Sequence, residues 1–409
     1  MSLSDVIGSI ESLLGKEAQT AFDEDERKQA IAACGRLKDR LENPFEKTLQ
    51  LLFTVWPATH NTMGLRLAVD MGVFDAAARL CADAKAVSLA DLASETKVDE
   101  LLLLRVMRVL VGLNVFAEPC VGSYEPLPLA AAYTSKSPLS SAVIHVVRPS
   151  SHFYTILAQL PEYFGEKGWK NPGDVYDGPF QFAMHTKEHY FDFLAKTPYY
   201  QKAFNEVMTL AYRRKGNNWF TFYPVAEKLQ VKDDSEVLLV DVGGSQGGDI
   251  IAFHEAHPEQ AGRLVLQDLP GVIANCQGLP AKVEATGYDF FQEQPVKGAK
   301  AYFLRTVLHD WPDKQALEIL ARLREAMSPE SLLLINETIV PDSNVPLSAV
   351  QADFTMMVSF ASHERTLRQF EELLDLAGFK LLRLWKPEGS EAGSSNIAEQ
   401  AGLLEAKLK

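Results

Sequence analysis

The sequence contains few cysteines, and they are far apart. Only Cys34, Cys81, Cys120 and Cys276 occur in a chain of 409 residues. No C-x-x-C pair is present, and no histidine lies near a cysteine at the spacing of a metal site. This usage is typical of free thiols in a reducing compartment and argues against a disulfide framework. No group of acids and histidines has ligand spacing either, so we expect no bound metal.

Long apolar runs are also missing. No segment approaches the roughly 18 consecutive apolar residues that a membrane-spanning helix requires. The first residues, Met1 to Asp5, lack the basic-then-apolar order of a secretory signal peptide. The sequence therefore predicts a cytoplasmic protein without a membrane partner.

Basic residues are outnumbered by acidic ones, 40 Lys and Arg against 54 Asp and Glu, for a formal net charge of −14. A nucleic-acid partner would require a basic face. Residues 88–126 do show a winged-helix pattern, with helices expected after the capping residues Ser88 and Asp99. The second of these helices offers only Arg105 and Arg108 to a phosphate backbone and is otherwise apolar. We therefore expect burial or dimer contacts there, and no nucleic-acid partner.

What the sequence does contain, from residue 236 onward, is apolar strand-like runs alternating with helical patterns. Such alternation is typical of a mostly parallel sheet with helices on both faces. The predicted strands are Val237–Val240, Leu264–Leu266, Val283–Ala285, Ala301–Leu304, Leu332–Ile335 and Leu381–Leu384. The fold class is therefore α/β, with three parts: an N-terminal helical and winged-helix domain (1–135), a helical connecting region rich in aromatics and histidines that covers the substrate (136–230), and a Rossmann-like doubly wound domain (231–409).

The first predicted strand ends in Asp241 and is followed by a glycine-rich loop. Gly243 and Gly244 open this loop, and an amphipathic helical pattern follows at 249–257. Strand, glycine turn and helix form the opening unit of a nucleotide-binding domain. Glycine is needed because the backbone turns tightly and a ligand approaches where a Cβ would stand.

Acidic and aromatic residues follow the next two strands. Asp268 ends the second strand, where a carboxylate can accept from both ribose hydroxyls of a nucleoside. Asp289 and Phe290 follow the third, placed to accept from an adenine amino group and to stack on the ring. Because the loop departs from the G-x-G-x-x-G pattern of NAD sites and follows Asp241, the layout favours S-adenosylmethionine over NAD.

A histidine and two glutamates complete the predicted site. His309 follows the fourth strand, Glu337 ends the fifth, and Glu364 precedes a helix. A histidine after an apolar stretch is usually a core residue, but this one lies at the ligand-binding end of the sheet. A carboxylate that accepts the Nδ1 proton fixes the tautomer and leaves Nε2 to remove a proton from a substrate hydroxyl.

Four segments together resemble the plant and fungal small-molecule O-methyltransferases, the family of caffeate and flavonoid methylating enzymes, and its fungal branch most. The segments are Val240-Asp-Val-Gly-Gly244, Gln267-Asp-Leu-Pro270, Leu308-His-Asp-Trp311 and Glu364-Arg-Thr366. The resemblance covers nearly the whole chain. It implies transfer of a methyl group from S-adenosylmethionine, with S-adenosylhomocysteine as product, and a homodimer built through the N-terminal domain.

The resemblance also implies roles for individual residues. His309 would be the general base, oriented by Glu337 and Glu364. Residues expected to hold the cofactor are Asp241, Gly243, Gly244, Asp268, Leu269, Asp289, Phe290 and Arg305. The resemblance and the aromatic composition of the covering region also indicate residues that would contact the substrate. They are Met208, Trp311, Met356, Phe360, His145 and His152. The acceptor would be a phenolic or enolic hydroxyl of an aromatic or polyketide-like metabolite, whose identity the sequence does not specify.

One departure from the family pattern keeps a second function open. The family loop usually reads Gly-Gly-Gly-x-Gly, whereas Ser245 stands here at the third glycine. We expect cofactor binding to survive this change. Some proteins of this scaffold use the bound cofactor to polarise a carbonyl and act as pericyclases or dehydratases without methyl transfer, and this is the alternative prediction.

Overall fold

The computed structural model describes residues 5–9, 24–41, 43, 45, 59–82, 84–146, 153–208, 218–387 and 401–409. The chain divides into two compact units, Met1–Gly64 and Leu65–Lys409. The first unit contains helix α1 (Glu24–Leu41). All elements named below belong to the second unit. None of the helices in the described ranges is long and apolar enough to cross a membrane.

The winged-helix prediction matches the start of the second unit. Helices α2 (Val73–Leu80), α3 (Leu89–Thr96) and α4 (Glu100–Gly112) pack with an antiparallel sheet in which β3 (Ser123–Pro126) lies between β1 (Val87–Ser88) and β2 (Phe116–Cys120). Both predicted caps are confirmed. The Ser88 hydroxyl accepts the Asp91 N–H at 3.1 Å, and the Asp99 carboxylate accepts the Leu102 N–H at 3.0 Å.

The connecting region is helical, as the sequence predicted. It contains α5 (Pro138–Val146), α6 (Phe153–Lys167), α7 (Pro179–Met184), α8 (Tyr190–Ala195), α9 (Pro198–Met208) and α10 (Val225–Lys228). His152, one of the predicted substrate residues, lies outside the described residues, and so do the side chains of His145 and Met208.

The remaining elements form a seven-stranded sheet flanked by helices. The elements are β4 (Val237–Val242), α11 (Gly248–Ala256), β5 (Arg263–Asp268), α12 (Pro270–Ile273), β6 (Val283–Gly287), β7 (Ala301–Arg305), α13 (Asp313–Ala326), β8 (Leu332–Thr338), α14 (Leu347–Phe360), α15 (Leu367–Leu376), β9 (Phe379–Trp385) and β10 (Ala401–Leu408). The strand order is β6-β5-β4-β7-β8-β10-β9. Neighbours from β6 to β8 are parallel, and β10 is antiparallel to both β8 and β9.

All six predicted strands are present, which confirms the α/β fold class. A further strand, β10, was not predicted from the sequence. This last strand inserts between β8 and β9, where Leu403 pairs with Asn336 and Trp385. Its place depends on partners far away in the chain, which a local pattern does not reveal.

The central strand β4 is buried along its whole length, because hydrophobic clusters cover both faces of the sheet. Parallel strands carry their carboxyl ends to one edge. The residues that follow β4, β5, β6, β7 and β8 therefore meet at that edge, and this is where the predicted site residues lie.

Candidate active site

The glycine loop after β4 is held against the end of β5. The N–H groups of Gly243 and Gly244 both donate to the carbonyl oxygen of Gln267, at 2.8 and 3.1 Å. A Cβ on Gly244 would lie 2.6 Å from Asp241 Cγ and 2.6 Å from Leu266 Cδ1. The buried carboxylate of Asp241 therefore occupies the space that a side chain at position 244 would need.

Ser245 adopts the backbone conformation that a glycine would supply. Its φ is 53°, in the left-handed region that favours glycine. Its N–H donates to Asp268 Oδ2 at 2.8 Å, and the Leu269 N–H donates to Asp268 Oδ1 at 2.7 Å. Ser245 thus preserves the loop path at the energetic cost of a strained φ.

Asp268 lies where a ribose-binding acid is expected. Burial raises the pKa of its carboxyl, and the two N–H bonds from Ser245 and Leu269 lower it in turn. Leu269, which precedes α12, is 45% exposed. Asp268 is thereby anchored beside the glycine loop, with its neighbour Leu269 at the surface.

Phe290 lies against the first glycine of the loop. A Cβ on Gly243 would stand 3.0 Å from Val307 Cγ2 and 3.7 Å from Phe290 Cε1. The preceding Asp289 accepts the Phe291 N–H at 3.0 Å, which fixes the turn after β6. The structure therefore brings together Gly243 and Phe290, residues predicted to surround one nucleoside.

Arg305, also predicted to contact the cofactor, ends β7. Its guanidinium is paired with Asp249 in the first turn of α11. This ion pair ties the end of β7 to the helix that follows the glycine loop. A contact between Arg305 and the cofactor stays a prediction.

His309 follows β7 in a short 3₁₀ turn, Leu308–Asp310. Its Nδ1 lies 3.0 Å from Glu364 Oε1, and its Nε2 lies 3.5 Å from Asp310 Oδ1. Burial by itself lowers the pKa of His309, but the charges of Asp310, Glu337 and Glu364 outweigh it and raise the pKa well above its ordinary value. When Nδ1 of the neutral ring donates to Glu364, Nε2 is the unprotonated nitrogen.

Glu337 acts on this turn in a different way from Glu364. Its Oε1 accepts the N–H groups of Val307 and Leu308, at 3.0 and 2.9 Å. From the sequence, both glutamates were expected to orient the His309 ring. In the structure Glu364 contacts the ring, whereas Glu337 binds the backbone N–H groups before it. Burial raises the pKa of Glu337 to about 7, although the nearby charge of His309 acts to lower it.

The aromatic residues predicted at the substrate lie around His189, which was not among the predicted site residues. The His189 ring stacks on Trp311, with centroids 4.6 Å apart and planes at 9°, and lies 6.0 Å from the Phe360 ring. Met356 packs in the same cluster as Phe360. Trp311 also contacts Phe290 edge to face at 5.6 Å. Trp311 therefore lies between the ring predicted at the adenine and the rings predicted at the acceptor.

His189 caps α8: its Nδ1 accepts the Phe191 N–H at 3.2 Å. Burial lowers the pKa of His189 to about 4, so the ring is neutral near pH 7. A histidine directly before a Tyr-Phe helix start was a sequence signal for the cap, but not for the contact with Trp311. Within the described parts of the chain, no three histidine, cysteine or acidic side chains are arranged to hold a metal ion.

Two family models match parts of this chain. A family model described as the O-methyltransferase domain matches residues 184–380, and one described as the O-methyltransferase dimerisation domain matches residues 58–136. The O-methyltransferase mfmE of Annulohypoxylon moriforme is 34% identical over 404 residues, which cover 98% of this chain and 95% of that protein.

Two solved structures are similar over almost the entire chain. One, described as a pericyclic reaction enzyme, is 27% identical with a TM-score of 0.82, covering 99% of this chain and 100% of that one. The other, OxaC in complex with S-adenosylhomocysteine and oxaline, is 27% identical with a TM-score of 0.78, covering 100% of this chain and 98% of that one. The similarity therefore includes the glycine loop, the His309 turn and the N-terminal part.

Proposed function

The chain belongs to the S-adenosylmethionine-dependent O-methyltransferases, and on that basis we propose that it methylates a phenolic or enolic hydroxyl of a small secondary metabolite, with His309 as the general base. The observation that supports this assignment is the 3.0 Å contact between His309 Nδ1 and Glu364 Oε1. It leaves Nε2 as the proton acceptor. Relatives named as O-methyltransferases, including demethylsterigmatocystin 6-O-methyltransferase of Aspergillus flavus at 30% identity, support a polyketide-like acceptor.

The residues around the glycine loop fit S-adenosylmethionine. Gly243 and Gly244 let the loop pass close to Val307 and Asp241, where a Cβ would stand 3.0 and 2.6 Å from those side chains, and the anchored Asp268 carboxylate suits the ribose hydroxyls. Asp289 and Phe290 would hold the adenine. Asp241 packs against Gly244, and Arg305 ties the end of β7 to α11 through Asp249. When bound, the cofactor supplies a methyl group already activated by its sulfonium charge, so the acceptor needs only alignment and deprotonation.

In the proposed reaction, Nε2 of His309 takes the hydroxyl proton of the acceptor, and the oxygen forms its bond to the methyl carbon as the bond from that carbon to sulfur breaks. Glu364 stabilises the imidazolium that results, because its carboxylate accepts a hydrogen bond from the Nδ1–H group. Glu337 holds the Val307–Leu308 backbone, so that the ring stays in place. Trp311, Phe360 and Met356 would bind a flat apolar acceptor.

His309→Ala tests this assignment. We expect methyl transfer from labelled S-adenosylmethionine to a panel of phenolic and enolic metabolites to be abolished, while binding of the uncharged product S-adenosylhomocysteine, measured by calorimetry, stays near normal. The panel is screened first with the wild-type protein to find an acceptor. Retained transfer, or loss of S-adenosylhomocysteine binding in the variant, would remove His309 from the role of base.

The alternative function is a pericyclase or dehydratase that keeps the cofactor without transferring its methyl group. The similarity to the pericyclic reaction enzyme, at a TM-score of 0.82, supports this alternative function. The His309–Glu364 pair argues for methylation over a pericyclic reaction, because a pericyclic reaction has no deprotonation step. In the same panel, conversion of a metabolite without incorporation of label would establish the alternative.

We also propose a homodimer formed through the N-terminal part, since residues 58–136 match the O-methyltransferase dimerisation domain. Leu101 and Leu102 at the start of α4 are 58% and 43% exposed in the single chain and are apolar residues that a partner would cover. Sedimentation equilibrium checks the assembly, and a monomer at micromolar concentration would exclude it.

A further inference from the structure

Arg365 is a buried arginine beside His309, and no role has been assigned to it above. Its side chain is 0% exposed. Nη1 donates to the carbonyl oxygen of Leu308 at 2.7 Å, and Nη2 donates to that of Trp311 at 2.8 Å. Nε and Nη2 both donate to Asp313 Oδ1, at 3.0 and 2.7 Å. One guanidinium therefore spans the turn that carries His309.

The two carbonyls that Arg365 binds flank His309 in the chain. On the other side of the same turn, Glu337 accepts the N–H groups of Val307 and Leu308. The backbone around His309 is thus held at its N–H groups by the carboxyl group of Glu337 and at its carbonyl groups by the guanidinium of Arg365. The turn itself contains a 3.2 Å hydrogen bond from the Trp311 N–H to the Leu308 carbonyl oxygen. Hydrogen bonds to charged groups are stronger than such neutral bonds, so the bonds from Arg365 add to the rigidity of the turn.

Arg365 also follows Glu364 directly. Glu364 accepts from the His309 ring, Arg365 binds the backbone on both sides of that ring, and Thr366 caps α15 by accepting the Gln369 N–H at 3.3 Å. The Arg365 carbonyl accepts the Val340 N–H at 3.0 Å, which ties the segment to the chain beyond β8. The ring and the backbone of His309 are therefore positioned by one short segment.

We propose that Arg365 is a positioning residue for His309: it holds the 308–311 turn so that Nδ1 meets Glu364 and Nε2 faces the acceptor. This inference rests on the proposed function of His309. The planar fork of a guanidinium reaches two carbonyl oxygens and a carboxylate at once, which the single ammonium of lysine does not do in a fixed geometry. A buried charge is costly, and its only carboxylate partner among these contacts, Asp313, is 60% exposed. We therefore expect Arg365 to fix the position of the turn more than to raise the stability of the fold.

The test compares Arg365→Lys with Arg324→Lys. Arg324 is the matched control, because its Nη1 also donates to a carbonyl at a helix end, that of Ala377 at 3.0 Å, away from His309. For Arg365→Lys we expect kcat for methyl transfer to fall by about 10²-fold, as misplacement of a catalytic group typically causes, with KM for both substrates and S-adenosylmethionine binding near wild type. The acid limb of the pH profile of kcat should also move to lower pH, since a displaced ring loses its bond to Glu364, which raises the His309 pKa. Arg324→Lys should leave kcat and the profile unchanged.

A wild-type kcat and pH profile in Arg365→Lys would overturn the inference, and so would equal losses in both variants. If Arg365→Lys does not fold, Asp313→Asn loosens the guanidinium without removing it and should show a smaller loss of kcat with the same direction of pH shift. An unchanged profile in Asp313→Asn would then contradict the proposal. His309→Ala separates the two claims. If His309→Ala still transfers methyl groups, the proposed function fails. If it is inactive while Arg365→Lys behaves like Arg324→Lys, only the role of Arg365 fails.

Discussion

The carboxylate of Asp241 lies directly over Gly244, 2.6 Å from where a Cβ at that position would stand. The acid that ends β4 and the second glycine of the loop are therefore one structural unit. A glycine is needed at this position because the acid occupies the space that a side chain would take.

Gly244→Ala is expected to weaken cofactor binding. The added methyl group would meet Asp241 Cγ and Oδ2 and Leu266 Cδ1, all at 2.6 Å, so the loop must shift. Overpacking of this kind typically costs about 1–3 kcal/mol, which corresponds to a loss of affinity of about 5- to 150-fold if the cost falls on the bound state. Calorimetric titration with S-adenosylhomocysteine measures it. Gly165→Ala on α6, where an added Cβ meets nothing within 4 Å, is the control. Equal affinity in the two variants would contradict the assignment of this loop to the cofactor.

Binding of S-adenosylmethionine is expected to strengthen with pH, whereas binding of S-adenosylhomocysteine is not. The surrounding carboxylates raise the pKa of His309 above its ordinary value, so near pH 7 the ring is cationic before the ligand binds. A sulfonium charge in the site disfavours the imidazolium, so binding releases a proton and affinity rises as pH approaches the raised pKa, by at most about tenfold per pH unit. The neutral product lacks this effect.

Calorimetry from pH 6 to pH 9 in buffers of different ionisation enthalpy measures both the affinities and the protons released. His309→Gln, which does not titrate, serves as the control and should remove the difference between the two ligands. Parallel pH dependences of the two ligands in the wild-type protein would show that the ring is not close to the sulfonium.

His189 is expected to make the fold sensitive to acid. Burial lowers its pKa to about 4 in the folded protein, below the 6.5 of an exposed histidine. The unfolded chain therefore binds more protons between these values, and stability that is fully present above pH 6.5 is lost as pH falls toward 4. Linkage gives about 2 kcal/mol lost between pH 7 and pH 5.

His189→Asn keeps a capping side chain at the start of α8 and removes this titration. Urea unfolding at pH 7 and pH 5 should show a pH-dependent loss about 2 kcal/mol smaller in the variant than in wild type. His254→Asn on α11 controls for a general effect of losing a histidine. An identical pH dependence in His189→Asn and wild type would mean that the His189 ring is not buried against Trp311 as the structure has it.

Much of the site was readable from the sequence because its residues follow strands of a parallel sheet. Once Val237–Val240 and the later apolar runs are recognised as parallel strands, the residues after them must meet at one edge. This places Asp268, Phe290 and His309 together without any knowledge of their distances. The caps at Ser88 and Asp99 were equally readable, since a cap is a contact between residues only three apart.

Other features were decided only by the tertiary structure. The insertion of β10 beside β8, the division of labour between Glu337 and Glu364, and the stacking of His189 on Trp311 all join segments distant in the chain. The same holds for Arg365, which the sequence showed only as the middle residue of a family motif.

The division has a physical reason. Backbone propensity, capping and strand patterning depend on neighbouring residues, so the sequence by itself determined the elements, their α/β class and the edge at which ligands bind. Which carboxylate reaches Nδ1 of His309, and which cation holds its turn, depends on packing to within an ångström between segments some 30 to 60 positions apart in the chain, such as Glu337, 30 positions after Val307, and Glu364, 55 positions after His309. Only the folded chain sets those distances.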